Sequence, residues 1–251
     1  MRMLRVRVAW KRTLALATAL VGLAAPPLAA QEVPYQIRWY QPVIALAGVS
    51  VFFLVDDPVR SYMLDNQTQT KDDVADVFRT FGEPEVFVTV PAVMIGTGLL
   101  AKKPGLTHAG VRAVSSAVLA TGIAAVVKFM LGRERPNAQN STPLMFEPFE
   151  QSADDASMPS GHTSAAFGLM ASLAEDVRPT WAKVGLYALA TGTAWSRVYD
   201  NKHWTSDVVF GALVGVTSAK LVRGEWQAWG IRMPAVFTDG TRVTVSWQGT
   251  F

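Results

Sequence analysis

The chain has 251 residues, half of them hydrophobic and only 17% charged, against about 25% charged in an ordinary soluble domain, so it is not a disordered polymer and is long enough for one large domain or two small ones with a buried core. It contains no cysteine, which excludes disulfides, thiolate metal sites and cysteine nucleophiles. The formal charge of +3 invites a nucleic-acid reading, and the location of that charge along the chain decides it.

The excess is N-terminal. Arg2, Arg5, Arg7, Lys11 and Arg12 stand without an acid ahead of the apolar run from Leu14 to Ala25, and small residues close the segment at Ala29 and Ala30. This is the pattern of a signal peptide or signal anchor over residues 1–30. Removing it takes five of the 23 basic residues and none of the 20 acidic ones, leaving the remainder at −2. Nucleic acid is therefore not an expected partner, and a bacterial cell envelope is the expected location.

Beyond the leader, uncharged stretches fall at residues 39–55, 86–101, 113–127, 156–174, 184–196 and 208–219, each of 12 to 19 residues. None reaches the roughly 18 continuous apolar residues of an unambiguous span once the motif loop in the longest is set aside. They are rich in Gly, Ala, Ser and Thr, clearest in Gly211-x-x-x-Gly215, a composition that lets helix backbones approach closely in lipid. The expected fold is all-α, a bundle of about five or six mostly membrane-spanning helices; a compact soluble helical core is the competing reading. Stops at Gly82-Glu83-Pro84, Lys103-Pro104-Gly105 and Arg178-Pro179 fit this layout. Eight acids against three bases between Asp56 and Glu85, and three bases without an acid from Lys102 to Arg112, place the second link in the cytoplasm and the first outside. That count agrees with the helix order only if Pro42–Val55 does not span. Near the C-terminus, Ala235-Val236-Phe237, a turn at Asp239-Gly240 and alternation at Val243, Val245 and Trp247 predict one β-hairpin. The expected division is a leader at 1–30, a helical segment at 31–85, a helical core at 86–222 and a hairpin extension at 223–251.

Three motifs carry chemistry. Lys128 and Arg135 stand seven residues apart, nearly two helical turns, so both cations share a face if the helix continues, and two converging cations make an anion site. In Met158-Pro159-Ser160-Gly161-His162, Pro159 and Ser160 are helix-start residues and Gly161 allows close backbone approach; free amides at a helix N-terminus bind phosphate, with His162 beside them. Ser196-Arg197 adds a third cation, and His203 and Asp207 are separated by four, which places the carboxylate on the face of the imidazole, where it fixes the tautomer and raises basicity. A histidine oriented in this way can act as a nucleophile. Asp207 also suits the N-terminal turn of the following helix, and His108 lies outside all three motifs.

Together, K-x6-R-P at 128–136, P-S-G-H at 159–162 and S-R-x5-H-x3-D at 196–207 match at all eleven fixed positions and resemble the tripartite signature of the type 2 phosphatidic acid phosphatases. That superfamily also includes bacterial nonspecific acid phosphatases and vanadium haloperoxidases. The resemblance covers roughly residues 86–222 and implies a phosphohydrolase with no metal or other cofactor. It implies that Lys128, Arg135 and Arg197 hold phosphate oxygens, with Ser160 and the Gly161 backbone completing the cradle. His203 attacks phosphorus to form a phosphohistidine, Asp207 orients His203, and His162 protonates the leaving oxygen and then activates water. The expected partners are a membrane and a phosphorylated lipid, with the site facing the periplasm from the inner membrane. Phosphatidic acid, phosphatidylglycerol phosphate, a polyprenyl diphosphate and a lipid A phosphate all remain open as substrates, as does the oligomeric state. A soluble periplasmic acid phosphatase acting on small phosphomonoesters needs the same eleven residues and is the alternative; a haloperoxidase or a silent membrane scaffold is a more distant one.

Overall fold

The structure, a computed structural model, describes residues 34–149 and 157–228 together with the backbone of two short strands at 235–238 and 243–246. The leader predicted at 1–30 lies outside the described residues. After a short strand β1 (Tyr35–Ile37), helix α1 (Tyr40–Ser50) runs through a tighter turn at Val51–Val55 into α2 (Asp56–Asp65). Helix α3 (Gln69–Arg79) bends by 55° at the Gly82-Glu83-Pro84 break into α4 (Pro84–Leu100), and α5 (Pro104–Leu131) returns beside it. Helices α6 (Gly161–Asp176), α7 (Thr180–Tyr199) and α8 (Thr205–Val222) complete the body.

Local sequence explains the element starts. Prolines sit in the first turn of α4 and α5, where the missing amide costs nothing. The Ser160 hydroxyl accepts from the Thr163 amide at the head of α6 (3.4 Å), satisfying one of the orphan donors of a helix start. Helix α6 is the axis of the bundle: nearly every residue from Thr163 to Ala174 is buried, against α5, α7 and α8. Small residues allow this. A Cβ on Gly215 would lie 2.6 Å from Phe167 Cβ and 2.7 Å from the Ser164 carbonyl oxygen, so the predicted Gly211-x-x-x-Gly215 pair is the seam along which α8 meets α6. Leu169, Met170 and Leu173 pack with Val86, Val90, Met94 and Ala117 into one core.

Among the described residues, three helical runs are long and apolar enough to cross a membrane, Tyr40–Asp65, Pro104–Leu131 and Thr205–Val222, and the bent pair Gln69–Gly82 with Pro84–Leu100 makes a fourth if counted as one span. Tyr40–Asp65 contains the Pro42–Val55 stretch that the loop-charge count requires not to span. The turn at Val51–Val55 does not end the helix, and Asp56 is not an exposed loop charge but is buried in a salt bridge with Arg133. Val43, Ile44, Leu46, Leu54, Leu100 and Val118 project outward from these helices. An apolar exterior of this extent is the surface of a membrane protein.

The predicted hairpin is present: β3 (Ala235–Thr238) and β4 (Val243–Ser246) pair antiparallel, Ala235 opposite Ser246 and Thr238 opposite Val243. The turn at Asp239-Gly240, with Trp247, lies outside the described residues. A second pairing has no signal in the local residue pattern: β1 runs parallel with β2 (Trp226–Ala228) and ties the start of α1 to the end of α8.

Candidate active site

The first motif does not continue as a helix. Helix α5 stops at Leu131 because Gly132 takes a left-handed conformation (φ 53°) and donates its amide to Lys128 O at 2.8 Å. A Cβ there would fall 1.8 Å from Glu147 O, so only glycine fits the turn. The predicted shared helical face is thus broken at Gly132, after which Arg133 bridges to Phe146 and the chain is non-helical through Arg135. Arg135 nonetheless ends close enough for its charge to act on Lys128.

Backbone hydrogen bonds join the three motifs. The Ser157 amide donates to Arg133 O (2.9 Å) and the Ser160 amide to Asp207 O (3.0 Å), while the Trp204 indole donates to Glu134 O (2.9 Å). The Lys128 side chain lies over the helix start, with Cε 3.9 Å from where a Gly161 Cβ would stand, and its ammonium donates to Ser157 O (3.1 Å). Arg197, at the end of α7, is nearly buried and pairs with Asp200 at 2.9 Å. The Nε atoms of Arg135 and Arg197 are buried without a hydrogen-bond partner among the described residues. Guanidinium donors of this kind, beside a helix N-terminus, form a cradle with the chemistry to receive an anion. Ser160 is fully buried at the base of the cradle, where its Oγ also accepts from the Thr163 hydroxyl (3.0 Å).

His203 lies in the short link between α7 and α8 and is 5% exposed. Its Nδ1 stands 3.5 Å from both Asp207 Oδ2 and Ser157 Oγ, which leaves Nε2 as the ring nitrogen available for chemistry. Burial holds the His203 imidazole down to about 4 against the upward pull of the Asp207 hydrogen bond, and the Lys128 and Arg197 charges add to the lowering. The carboxylate of Asp207 is fully occupied: Oδ2 accepts from Ser157 Oγ (2.5 Å) and the Trp204 amide (2.9 Å), and Oδ1 from Arg133 (2.5 Å). The Trp204 amide bond makes it the predicted helix-start acceptor, and the same Oδ2 is the carboxylate oxygen that stands beside the His203 ring.

His162 opens α6 beneath the bend between α3 and α4, where a Cβ on Gly82 would come within 2.6 Å of His162 O. Burial first, then the charges of Arg197 and of neighbours including His203, Arg79 and Lys128, lower His162 to about 3. All eight predicted site residues thus gather around one cradle. His108 stands apart from it, in the first part of α5.

Four residues that sequence reasoning did not single out complete the site: Arg133, Asp56, Ser206 and Ser157, each buried and within two bonds of Asp207 in the hydrogen-bond network. Their only sequence signal is position, since Arg133, Ser157 and Ser206 lie inside or beside motifs, and Asp56 carried none. No group of three or more His, Asp or Glu side chains among the described residues is placed to hold a metal ion.

Comparison with known proteins agrees with this geometry. Residues 109–229 match the PAP2 superfamily. A lipid A 1-phosphatase of Porphyromonas gingivalis is 35% identical over 101 residues, which make up 39% of this chain and 19% of that protein, so the chain spans about a fifth of that relative's length. The phosphatidylglycerolphosphate phosphatase of PAP2 type from Bacillus subtilis superposes with a TM-score of 0.52 at 17% identity, over 74% of this chain and 95% of the other. LpxE of Aquifex aeolicus gives a TM-score of 0.49 at 20% identity, over 70% and 93%. All three motifs fall inside the matched span, and the helical core at residues 109–229 is a PAP2-superfamily domain.

Proposed function

We propose that the protein is a phosphatase of lipid phosphates or diphosphates, working without a metal from the inner membrane with its site toward the periplasm. The observation that carries the reading is the pairing of the cation cradle, with its unsatisfied Arg135 and Arg197 Nε atoms, and a buried His203 held by Asp207. Phosphoryl transfer asks the protein for little else: preorganised positive charge around the equatorial oxygens, an in-line nucleophile and a proton for the leaving group. His203 Nε2 attacks phosphorus while the bond to the leaving oxygen breaks and that oxygen takes a proton from His162. The products are a phosphohistidine and the free alcohol, or the lower phosphate when the substrate is a diphosphate. His162, now neutral, removes a proton from water; the resulting hydroxide attacks phosphorus, and His203 departs from inorganic phosphate.

A lipid substrate is favoured by the surroundings. The outward apolar face of Tyr40–Asp65 suits a membrane setting, and an apolar cavity of about 610 Å³ lies between α1, α5 and α8, lined in part by Leu46, Val49, Ile123 and Phe210. Phe210 follows Asp207 by three residues on α8, and in this reading the cavity receives an acyl chain. The test is phosphate release by purified protein from phosphatidic acid, phosphatidylglycerol phosphate, polyprenyl diphosphate, lipid A and a soluble phosphomonoester. Release from one or more lipids should exceed that from the soluble ester. His203→Ala should lose at least about 10³-fold in kcat and should no longer form an acid-labile, alkali-stable phosphoprotein. A His203→Ala protein that works at the wild-type rate overturns the mechanism, and a preference for the soluble ester overturns the substrate class.

A further inference from the structure

Arg133 stands between the two cations of the first motif but turns away from the cradle. Its side chain is fully buried and binds as a fork: Nη1 donates to Asp207 Oδ1 (2.5 Å) and Ser206 Oγ (2.7 Å), and Nη2 to Asp56 Oδ2 (2.8 Å) and Pro143 O (2.6 Å). Asp56 is held in turn, Oδ1 by the Ser206 amide (2.8 Å) and Oδ2 by the Ser206 hydroxyl (2.6 Å). Phe53, Phe146 and Trp204 place their rings 4.4, 5.5 and 5.6 Å from the guanidinium carbon, closing the cluster in apolar surface. Asp56 lies at the head of α2, well before the matched span at 109–229.

The cluster holds more charge than packing requires. Each ion removed from water costs several kcal/mol, and one carboxylate would suffice to neutralise Arg133. Two carboxylates sharing one guanidinium keep a net negative charge, and the oxygen on which it can act is Asp207 Oδ2, the one beside His203. A single Asp207–Arg133 pair would direct much of that charge away from the imidazole.

Building on the phosphatase reading, we propose that Arg133 and Asp56 are positioning residues for the reaction: Arg133 fixes the plane of the Asp207 carboxylate, and Asp56 competes for Arg133 so that Asp207 keeps its charge for His203. The first membrane-spanning run, through Asp56, thereby becomes part of the active site.

The groups facing His203 are Asp207 from α8, Lys128 from α5, Arg197 from α7, His162 from α6 and the Ser157 hydroxyl; Arg133 and Asp56 stand behind Asp207. In this electrostatic setting the two variants have opposite signs. Asp56→Asn removes a negative charge and makes His203 less basic, so the acid limb of kcat/KM moves to lower pH. Arg133→Met removes a positive charge and moves that limb to higher pH. Each shift should approach about one pH unit, with kcat lowered about 10- to 100-fold and KM within twofold of wild type. Arg133→Lys, which restores the charge without the fork, should return the acid limb toward wild type while kcat stays low.

The measurement is the pH profile of phosphate release by the purified full-length chain in detergent, with wild type and His203→Ala alongside. Limbs displaced in opposite directions support the proposal. Reduced kcat with unmoved limbs, or limbs displaced in the same direction, overturns it and leaves the cluster a structural clamp. Asp56→Asn is close to isosteric, so if Arg133→Met does not fold, the Asp56→Asn limb alone decides. Equal phosphate release by wild type and His203→Ala means instead that the phosphatase mechanism has failed, whatever the Asp56 profile.

Discussion

His203 and His162 are the same side chain in one buried cradle, yet the proposed cycle needs the first neutral and the second protonated. Burial lowers them to about 4 and about 3 respectively, so in the empty site both are neutral at pH 7. His203 is then a ready nucleophile, but His162 has no proton to give. The proton must arrive with the substrate, whose second phosphate pKa is about 6, so the reactive form is the monoanion. The sign follows: kcat/KM for a short-chain lipid phosphate should be highest between about pH 4 and 6, limited below by protonation of His203 and falling about tenfold per pH unit above about 6 as the monoanion disappears. A profile still rising from pH 6 to 8 would show that the enzyme supplies the proton itself. The cradle makes its own prediction: Arg197→Ala removes one preorganised donor from the developing charge and should lower kcat/KM by about 10²- to 10³-fold without altering the yield of folded protein.

Helices carry these residues, and helix contacts set how far each can move. Gly211 and Gly215 lie on the same face of α8 but brace different things. A Cβ on Gly211 would sit 2.8 Å from Ser160 O, in the helix start that forms the cradle. A Cβ on Gly215 would meet the backbone of α6 one turn further along, 2.7 Å from Gly168 N. Gly211→Ala should therefore cost activity more than stability, and Gly215→Ala should cost about 1–3 kcal/mol, read as a lower thermal midpoint in detergent with kcat preserved in the folded fraction. Gly185, where an added Cβ would meet nothing within 4 Å, is the control, and its alanine variant should be neutral or slightly stabilising. The reach of sequence reading follows the same division. Pro84, Pro104, Ser160 and the Gly211/Gly215 pair act on neighbours within a turn or two of their own helices, so their meaning is legible locally. The halt of α5 is not, because the spacing of Lys128 and Arg135 invites a continuous helix, while Gly132 decides otherwise through a contact with Glu147. The Arg133 cluster is invisible in the sequence because its partners lie 74 and 77 residues away, and no local pattern records such a pairing.

At the scale of the whole molecule the question is which solvent the outer surface meets. An amphipathic surface helix shows an apolar stripe toward the core and charge outward. Tyr40–Ser50 does the reverse of what water requires: of its residues only Val49 is buried, while Val43, Ile44 and Leu46 stand exposed. Leu54 is exposed further along the same run, as are Leu100 on α4 and Val118 and Val126 on α5. Leaving so much apolar surface in water costs about 25 cal/mol for each Å², whereas a bilayer removes the cost and drives insertion. The charged groups are arranged accordingly. Arg133 and Asp56 satisfy each other inside the fold, and Arg112 and Arg223 both pair with Asp176. The chain should therefore remain in the pellet when membranes are washed with alkaline carbonate and enter solution only with detergent. Replacing Val51 and Leu54 together by Lys, near the middle of the Tyr40–Asp65 run, should lower membrane recovery several-fold, because each charge placed at mid-bilayer depth adds about 2.5–3.5 kcal/mol to insertion. Wild-type protein released by carbonate would instead place the apolar face against another protein surface and reopen the soluble acid phosphatase as the better account of the same eleven motif residues.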